Sequence, residues 1–195
     1  MSGVKGILID HLGTQVIETD RLILRRFNIL DAQDIFDNWA SNHQATKYLT
    51  WPPHERVEDT RALLQDWVTA YDQLNQYRWA ITLRNQPEQV IGDISVVGTN
   101  ELRKECEIGY VLSPNYWGQG IMTEALKAVT TYLLTEVQFN RLQALHNVAN
   151  VGSGKVMKKA GLRYEGTHRQ YGMNNNGLVD MARYAILRDD LKLEE

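Results

Sequence analysis

A mixed α/β fold, with antiparallel strands first and a strand–turn–helix–strand crossover later, is predicted by three observations. Apolar runs at residues 78–83, 90–97 and 105–112 have the lengths and flanking turn residues of strands in an antiparallel meander. A glycine-containing turn then leads into a stretch whose apolar residues recur at helical spacing. The strand-like segment 141–148 follows that helix, which is the order of a crossover connection.

The segment before the meander contains one strand and two helices. Residues 21–27 (RLILRRF) are rich in strand formers and predict the first strand. Asp31 is predicted to be the N-cap of a helix that places Ile35, Phe36 and Trp39 on one face. A longer helix is predicted over residues 57–74 from six apolar positions: Leu63, Leu64, Trp67, Val68, Tyr71 and Leu74.

The second half begins with the helix that starts near Ile121. Its apolar stripe consists of Met122, Ala125, Leu126, Val129, Leu133 and Val137. A shorter helix over residues 151–160 is predicted to end at Gly161, because glycine is favoured just past a helix C-terminus. The last strand, 178–187, is entered through a turn at 174–177 (NNNG). We expect a loosely patterned segment at 1–15 and one domain over 16–195.

Composition and charge exclude several classes of protein. The net charge of −3 disfavours a broad nucleic-acid-binding face, which needs clustered Lys and Arg. No apolar run approaches the ~18–20 residues of a membrane span. The single cysteine, Cys106, cannot form an internal disulfide, and the histidines lack metal-ligand spacing. A cytoplasmic enzyme or binding protein without a metal is therefore expected.

Residues 115–124 (NYWGQGIMTE) are predicted to form an anion-binding turn. The first N–H groups of a helix have no partner within it and attract an anion, and Gly118 and Gly120 let a phosphate approach the backbone. The alternative is that both glycines serve only a tight turn. A Walker loop needs Lys and Ser or Thr after its last glycine, and a dinucleotide motif needs a third glycine. Neither requirement is met here.

Three segments together resemble the GNAT superfamily of N-acetyltransferases, and most of all its RimJ/RimL-type branch. Residues 107–126 (EIGYVLSPNYWGQGIMTEAL) resemble the acetyl-CoA-binding segment, and 150–162 (NVGSGKVMKKAGL) resemble the second motif of the branch. Residues 18–25 (ETDRLILR) resemble its first strand. The resemblance implies a central, mostly antiparallel mixed sheet with a splayed strand pair, flanked by helices.

The resemblance also implies a site for acetyl-CoA as the co-substrate. Pantetheine would insert at the splay, the turn would hold the pyrophosphate, Asn150 would pair with the pantetheine amides, and Ser153 would lie near the thiol. Simple helix capping is the alternative for Asn150 and Ser153. Trp117 and Met122 depart from the superfamily pattern of the turn. The implied set is Val111, Leu112, Trp117, Gly118, Gln119, Gly120, Ile121, Met122, Thr123, Asn150 and Ser153.

In this superfamily an amine attacks the thioester directly, in a ternary complex. Glu107 is the predicted base, with a surface or salt-bridging role as its alternative. A backbone N–H of Val111 or Leu112 would bind the oxyanion. Met157 stands where many members have a proton-donating Tyr, so Ser153, or a water that it holds, is the predicted acid. A nucleophilic role for Cys106 is disfavoured against a buried one.

The acceptor is predicted to be a primary amine, on a protein N-terminus or a small molecule. Tyr48 and Trp51 are the predicted acceptor residues in the early loop, with Tyr171 and Asn174 in the loop before the last strand. Family analogy adds a homodimer. The alternative function is a non-catalytic acyl-CoA-binding sensor or interaction module, and a nucleotide-binding protein is a third reading.

Overall fold

A computed structural model describes residues 9–175 and 177–193. Most of the loosely patterned segment expected at 1–15 therefore lies outside the described residues. Within the described part, eight strands form one sheet in the order β1-β2-β3-β4-β5-β6-β8-β7. The strands are β1 (Ile17–Glu18), β2 (Leu22–Arg25), β3 (Arg78–Leu83), β4 (Gln86–Asn100), β5 (Glu105–Leu112), β6 (Arg141–Asn147), β7 (Arg163–Asn174) and β8 (Gly177–Leu187).

Helices lie on both faces of this sheet. The α-helices are α1 (Ala32–Ile35), α2 (His43–Thr46), α3 (Val57–Ala70), α4 (Ile121–Thr135) and α5 (Val151–Lys159). A π-helix, Phe36–Ala40, extends α1. Shorter 3₁₀ turns are Ile29–Asp31, Pro114–Tyr116 and Arg188–Leu193. The predicted mixed, mostly antiparallel sheet flanked by helices is confirmed, since β5 and β6 form the one parallel pair among the described strands.

Two hydrophobic clusters hold the helices against opposite faces of the sheet. On one face, α4 buries Leu126 and Val129 against Trp79 of β3 and Ile108 of β5. Full burial of each aliphatic side chain contributes roughly 1.5–3 kcal/mol. The other face carries α1, the π-helix and α3, whose buried side chains include Ile35, Trp39 and Leu64. The strands between these layers are thus fixed in position on both sides.

The start of the first helix is as predicted, and the end of the longer helix is not. Asp31 is the N-cap position of α1, although its side chain makes no capping hydrogen bond there. Instead, Asp31 forms a capping box with Asn28, the N-cap of the preceding 3₁₀ turn. Asp31 also forms an ion pair with Arg25 of β2 at 2.8 Å, so its carboxylate is fixed by the sheet. The predicted helix 57–74 ends at Ala70. The Tyr71 hydroxyl turns back to donate to the Arg78 carbonyl, which ends the helix early.

Strands β1 and β7 were missed by the sequence prediction. Strand β7 is an edge strand whose side chains are mostly exposed and whose pairing with β8 is interrupted by two register shifts. It therefore lacks the alternation of apolar and polar residues that predicts a strand. Consequently Tyr171 and Asn174, expected in a loop, lie on β7. The turn expected at 174–177 joins β7 to β8, and Asn176 lies outside the described residues.

Candidate functional site

The sheet opens between β5 and β6. The two strands pair in parallel from Glu105↔Arg141 to Ile108↔Ala144, and the pairing stops there although both strands continue. Residues 109–112 of β5 pair with β4 on one side only, and residues 145–147 of β6 pair with β8 only. The facing backbone edges of the two strands are therefore available to an extended ligand, as in strand addition.

The alternation of backbone groups decides which N–H of β5 faces this opening. The Ser113 N–H donates to the Ile91 carbonyl, on the β4 side. Successive N–H groups of a strand point to opposite edges, so the Val111 N–H faces β4 and the Leu112 N–H faces the opening. Of the two predicted oxyanion donors, Leu112 has the suitable direction. Its carbonyl accepts a hydrogen bond of 2.8 Å from the Trp117 indole, which closes the end of the splay.

The glycine turn directly follows this strand and begins α4. Gly118 and Gly120 have φ of 76° and 77°, in the left-handed region that favours glycine. No atom lies within 4 Å of the position that a Cβ on Gly118 would take, so the turn is open on that side. Gly120 is the N-cap of α4 and offers no side chain to its first N–H groups. These N–H groups and the helix dipole can attract an anion without any side-chain charge, as the predicted anion site requires.

The remaining residues of the turn divide between the core and the surface. Ile121 and Met122 are buried in the main core, so the methionine that departs from the family pattern points away from the anion site. Thr123 is half-buried and Trp117 is half-exposed. The Gln119 side chain donates to the Asn115 carbonyl at 3.0 Å and closes the turn on itself.

Helix α5 begins on the opposite side of the splay. Asn150 is its N-cap, and its side chain accepts from the Ser153 N–H at 3.3 Å. The predicted capping role is thus present. The start of α5 rests directly on β6, because a Cβ on Gly154 would lie 2.7 Å from Nε2 of His146. A larger residue at 154 would require the His146 ring or the helix to shift.

Tyr110, which the sequence analysis did not single out, reaches Ser153 from β5. The two hydroxyl groups are 2.9 Å apart, and the Tyr110 hydroxyl also lies 3.1 Å from the Ser153 carbonyl, to which it can donate. Burial raises the pKa of the Tyr110 phenol, and the hydrogen bond with Ser153 opposes this only in part. The signal was available in the sequence, since Ile108, Tyr110 and Leu112 share one face of β5.

Glu107 lies on the other face of β5, just before the splay. Its carboxylate accepts from the Gln143 side chain of β6 at 2.9 Å and is half-buried. A second carboxylate, Asp93 of β4, pairs in register with Val111 on this same face. Burial raises the pKa of Asp93 to about 6, and the adjacent Arg78 guanidinium opposes the rise. Its Oδ1 has no hydrogen-bond partner among the described residues.

The predicted acceptor residues are only partly brought together. The Tyr48 hydroxyl donates to the Ala149 carbonyl at 3.2 Å, next to the cap of α5. The side chain of Asn175, at the tip of the β7–β8 hairpin, donates to the carbonyls of Thr46 and Trp51 at 2.9 and 2.7 Å. The hairpin tip and the loop of Tyr48 and Trp51 therefore form one unit. Asn175 was not predicted, because its polar turn position suggested only a reversal of the chain.

Tyr171 and Asn174 differ from each other in their surroundings. Asn174 is buried beside Asn175, close to the early loop, whereas Tyr171 is 60% exposed and lies 5.2 Å from the His168 ring. An open cleft of about 630 Å³ adjoins Trp51. The side chains that line it are Trp51, Pro52, Pro53, His54, Glu55, Arg56 and Asp59.

The structure also bears on a reactive cysteine, a metal site and a membrane span. Cys106 is buried, and burial raises the pKa of its thiol, which disfavours the reactive thiolate. In the described ranges 9–175 and 177–193, no three His, Cys, Asp or Glu side chains are grouped to hold a metal ion. No helix within those ranges is long and apolar enough to cross a membrane.

A strand pair that splays beside a glycine turn and a capped helix is the arrangement that the resemblance implied for an acyl-CoA site. The family model described as acetyltransferase (GNAT) domain matches residues 21–163. The chain is 31% identical over 173 residues to YoaA, an uncharacterized N-acetyltransferase of Bacillus subtilis, covering 89% of this chain and 97% of YoaA. It therefore belongs to the GNAT family and is an acetyltransferase that uses acetyl-CoA, as the resemblance implied.

One further relative places the chain near the RimJ/RimL branch, and one solved structure shares its fold. The chain is 31% identical over 143 residues to the ribosomal-protein-serine acetyltransferase of Escherichia coli, covering 72% of this chain and 78% of that enzyme. A solved structure of RimL, a ribosomal L7/L12 α-N-protein acetyltransferase in complex with coenzyme A, superimposes with a TM-score of 0.79. That likeness, at 23% identity over 90% of this chain and 99% of RimL, concerns the fold.

Proposed function

We propose that this chain transfers an acetyl group directly from acetyl-CoA to a primary amine, on a protein N-terminus or a small molecule, in a ternary complex. One observation carries the proposal. Glu107 and Ser153 lie on opposite sides of β5, beside a splay whose backbone edges are unpaired. An amine can therefore lose its proton on one side while a thiolate gains one on the other.

The residues around the splay fit an acyl-CoA thioester. The unpaired edges of β5 and β6 suit the pantetheine amides, and the N–H groups from Gly118 to Thr123 suit a pyrophosphate. The bound thioester supplies an acetyl carbon whose bond to sulfur breaks as a bond to the amine nitrogen forms. The same fit supports a position for the Asn150 side chain beside the pantetheine, at the cap of α5.

Three groups of the chain perform the remaining steps. Glu107 accepts the proton that the amine loses, directly or through one water. The Leu112 N–H faces the splay and stabilises the oxyanion that develops. Ser153, or a water that it holds, gives a proton to the thiolate and regains one from solvent, and the Tyr110 hydroxyl, 2.9 Å from the serine hydroxyl, holds it in place. A CoA thiol has a pKa near that of cysteine, roughly 8.5, so a weak acid is adequate.

The acceptor side is proposed to consist of Tyr48, Trp51, Asn174 and the cleft beside Trp51, with exposed Tyr171 at its margin. Glu55 in that cleft favours a cationic amine, whereas Arg56 and Asp59 pair with each other at 3.3 Å. The Escherichia coli relative acts on ribosomal protein, which supports a protein N-terminus. An α-amino group has a pKa of about 7.7–8.0 and is partly neutral already, so it needs only a modest base.

Titration calorimetry and a thiol-release assay test this proposal. Acetyl-CoA should bind in the micromolar range, and thiol release should require an acceptor from a panel of N-terminal peptides, polyamines, amino acids and aminoglycosides. Tight binding with no transfer to any amine would favour a non-catalytic module. Equal competition by ATP or NAD would favour nucleotide binding. The homodimer and the cytoplasmic location stay predictions, and gel filtration with light scattering tests the first.

A further inference from the structure

The turn between β1 and β2 is joined to the first turn of α4 by a dense set of hydrogen bonds. Oε1 of Glu124 accepts from the Thr19 hydroxyl at 2.6 Å and from the Arg21 N–H at 3.1 Å. Oε2 of Glu124 accepts from Nε of Arg21 at 2.6 Å and pairs with its Nη2 at the same distance. We call Thr19, Arg21 and Glu124 the clasp.

The clasp also reaches the glycine turn itself. Nη1 of Arg21 donates to the Gln119 carbonyl at 3.0 Å. In a trans peptide the carbonyl of one residue and the N–H of the next point in opposite directions, and the described chain has no cis peptide. By fixing the Gln119 carbonyl, Arg21 therefore directs the Gly120 N–H away from the Arg21 guanidinium.

The turn has reason to need such a support. Gly118 and Gly120 flank Gln119, and glycine samples many backbone conformations in the absence of constraints. A site formed by flexible backbone loses binding free energy when a ligand orders it, and preorganisation removes that loss. Gly120 lies against the clasp, since a Cβ there would be 3.5 Å from Nη2 of Arg21.

The charges of the clasp are balanced within it. Burial raises the pKa of Glu124, but hydrogen bonds from Thr19 and Arg21 and the charge of Arg21 outweigh this, so its pKa is lowered. Glu124 therefore stays ionised at neutral pH and pairs with Arg21. The Arg21 side chain is half-exposed, and exposed ion pairs add little to folding stability. Loss of the clasp should consequently affect the ligand more than the fold.

We propose that Thr19, Arg21 and Glu124 are positioning residues that hold the glycine turn in its pyrophosphate-binding shape. They thereby determine the preference of the enzyme for an intact acyl-CoA over an acyl thioester that lacks the nucleotide. This inference rests on the proposed function, because it assigns the turn to the pyrophosphate. It also gives a reason for the family resemblance of segment 18–25, since none of its residues takes part in the proposed reaction.

The test compares two donors, acetyl-CoA and S-acetylpantetheine, which has no pyrophosphate or nucleotide. In Arg21→Gln and Glu124→Gln, the KM for acetyl-CoA should rise about tenfold while kcat is kept, because one or two hydrogen bonds that preorganise the site are lost. The kcat/KM for S-acetylpantetheine should stay at the wild-type value. The control is Arg84→Gln, since the Arg84 side chain pairs with Glu18 of β1. The substitution keeps the Arg84 backbone N–H, which donates to the Arg21 carbonyl at 2.9 Å.

An equal loss of kcat/KM with both donors would show a general structural defect and would overturn the positioning role of the clasp. No loss of kcat/KM with either donor would overturn it as well. A wild-type protein that uses neither donor would refute the proposed function instead. The clasp is then judged by amide hydrogen exchange of residues 118–123 without ligand. This exchange should be faster in Arg21→Gln than in the wild type and in Arg84→Gln, and equal rates would contradict the inference.

Discussion

The proposed acetyl-CoA side and the proposed acceptor side of this protein are built in different ways. The glycine turn and the edges of β5 and β6 present backbone groups, whose directions follow from strand pairing and from the start of a helix. The acceptor side depends on side chains from separate loops, such as Tyr48 and Asn175. A backbone site is shared across a family, whereas a side-chain site can change with each acceptor.

The two sides also differ in how completely their carboxylates are hydrogen-bonded. Near the turn, the Glu124 carboxylate is fully paired by the clasp. On the face of the sheet that carries Glu107, Asp93 is buried with one oxygen unpartnered, and Arg78, which pairs with its other oxygen, stacks on Trp67 at 3.9 Å. Burial of the charged Asp93 carboxylate is therefore unfavourable, and the stability of the protein should depend on pH.

The largest expected effect is a change of folding stability with pH, caused by the buried Asp93 carboxylate. The pKa of Asp93 is raised from 3.8 to about 6, so the native state holds the proton more tightly than the unfolded state. The resulting stability is fully present below pH 3.8 and is lost as pH rises through about 6. The loss amounts to about 3 kcal/mol. Urea unfolding of the wild type and Asp93→Asn between pH 4 and 7 measures it.

The difference between the two stability curves isolates Asp93 from groups such as Glu124, whose lowered pKa acts in the opposite direction. Relative to Asp93→Asn, the wild type should lose stability across this range. If the two proteins show the same dependence of unfolding free energy on pH, Asp93 does not make the acceptor side more sensitive to pH than the glycine turn.

The next effect tests whether the face of Glu107 performs chemistry. Glu107→Gln should lower kcat about 100-fold at neutral pH, since a positioned base contributes at least that much. The Kd for acetyl-CoA, which the backbone site determines, should not change. Glu105→Gln is the matched control on the same strand and face, where Glu105 pairs with Arg141. If Glu107→Gln keeps the wild-type kcat, Glu107 is not the general base.

The sequence predicted the strand and the helix that carry the proposed acetyl-CoA site, because their signals are local. Strand β5 was predicted at its observed bounds, and α4 starts at the predicted Ile121. The clasp was not predicted, although its residues lie in matched segments, because Thr19 and Glu124 are 105 positions apart. Side-chain pairing at such a distance depends on how β2 and α4 pack, which no local pattern reports.

The secondary structure of the proposed acceptor side was predicted less completely, because its signals are not local. Strand β7 exposes most of its side chains and lacks an apolar period, so Tyr171 and Asn174 were assigned to a loop. Asn175 appears in the sequence as a turn residue, and its bonds to the early loop exist only in the folded chain. Tyr110 was overlooked although its face of β5 was predictable, because its partner Ser153 lies on another element.

A change in the turn should weaken the donor alone. Gly120→Ala places a Cβ on a residue with φ of 77°, which costs about 1–2 kcal/mol for an L-residue and distorts the turn. The Kd for acetyl-CoA should rise about tenfold, while the KM for the acceptor is kept. Gly98→Ala is the control, because the nearest atom to its new Cβ lies at 4.0 Å. An equal rise in the acceptor KM would indicate that the two sides are coupled.

The smallest effect is expected where the acceptor side is assembled. Asn175→Ala removes two hydrogen bonds to the loop of Tyr48 and Trp51, each worth roughly 0.5–1.5 kcal/mol. The KM for the acceptor should rise about fivefold at an unchanged Kd for acetyl-CoA. Gln44→Ala, on α2 beside the same loop, should change neither value. If the Kd for acetyl-CoA rises instead, the hairpin tip supports the donor through Tyr48 and Ala149, and the two sides share one scaffold.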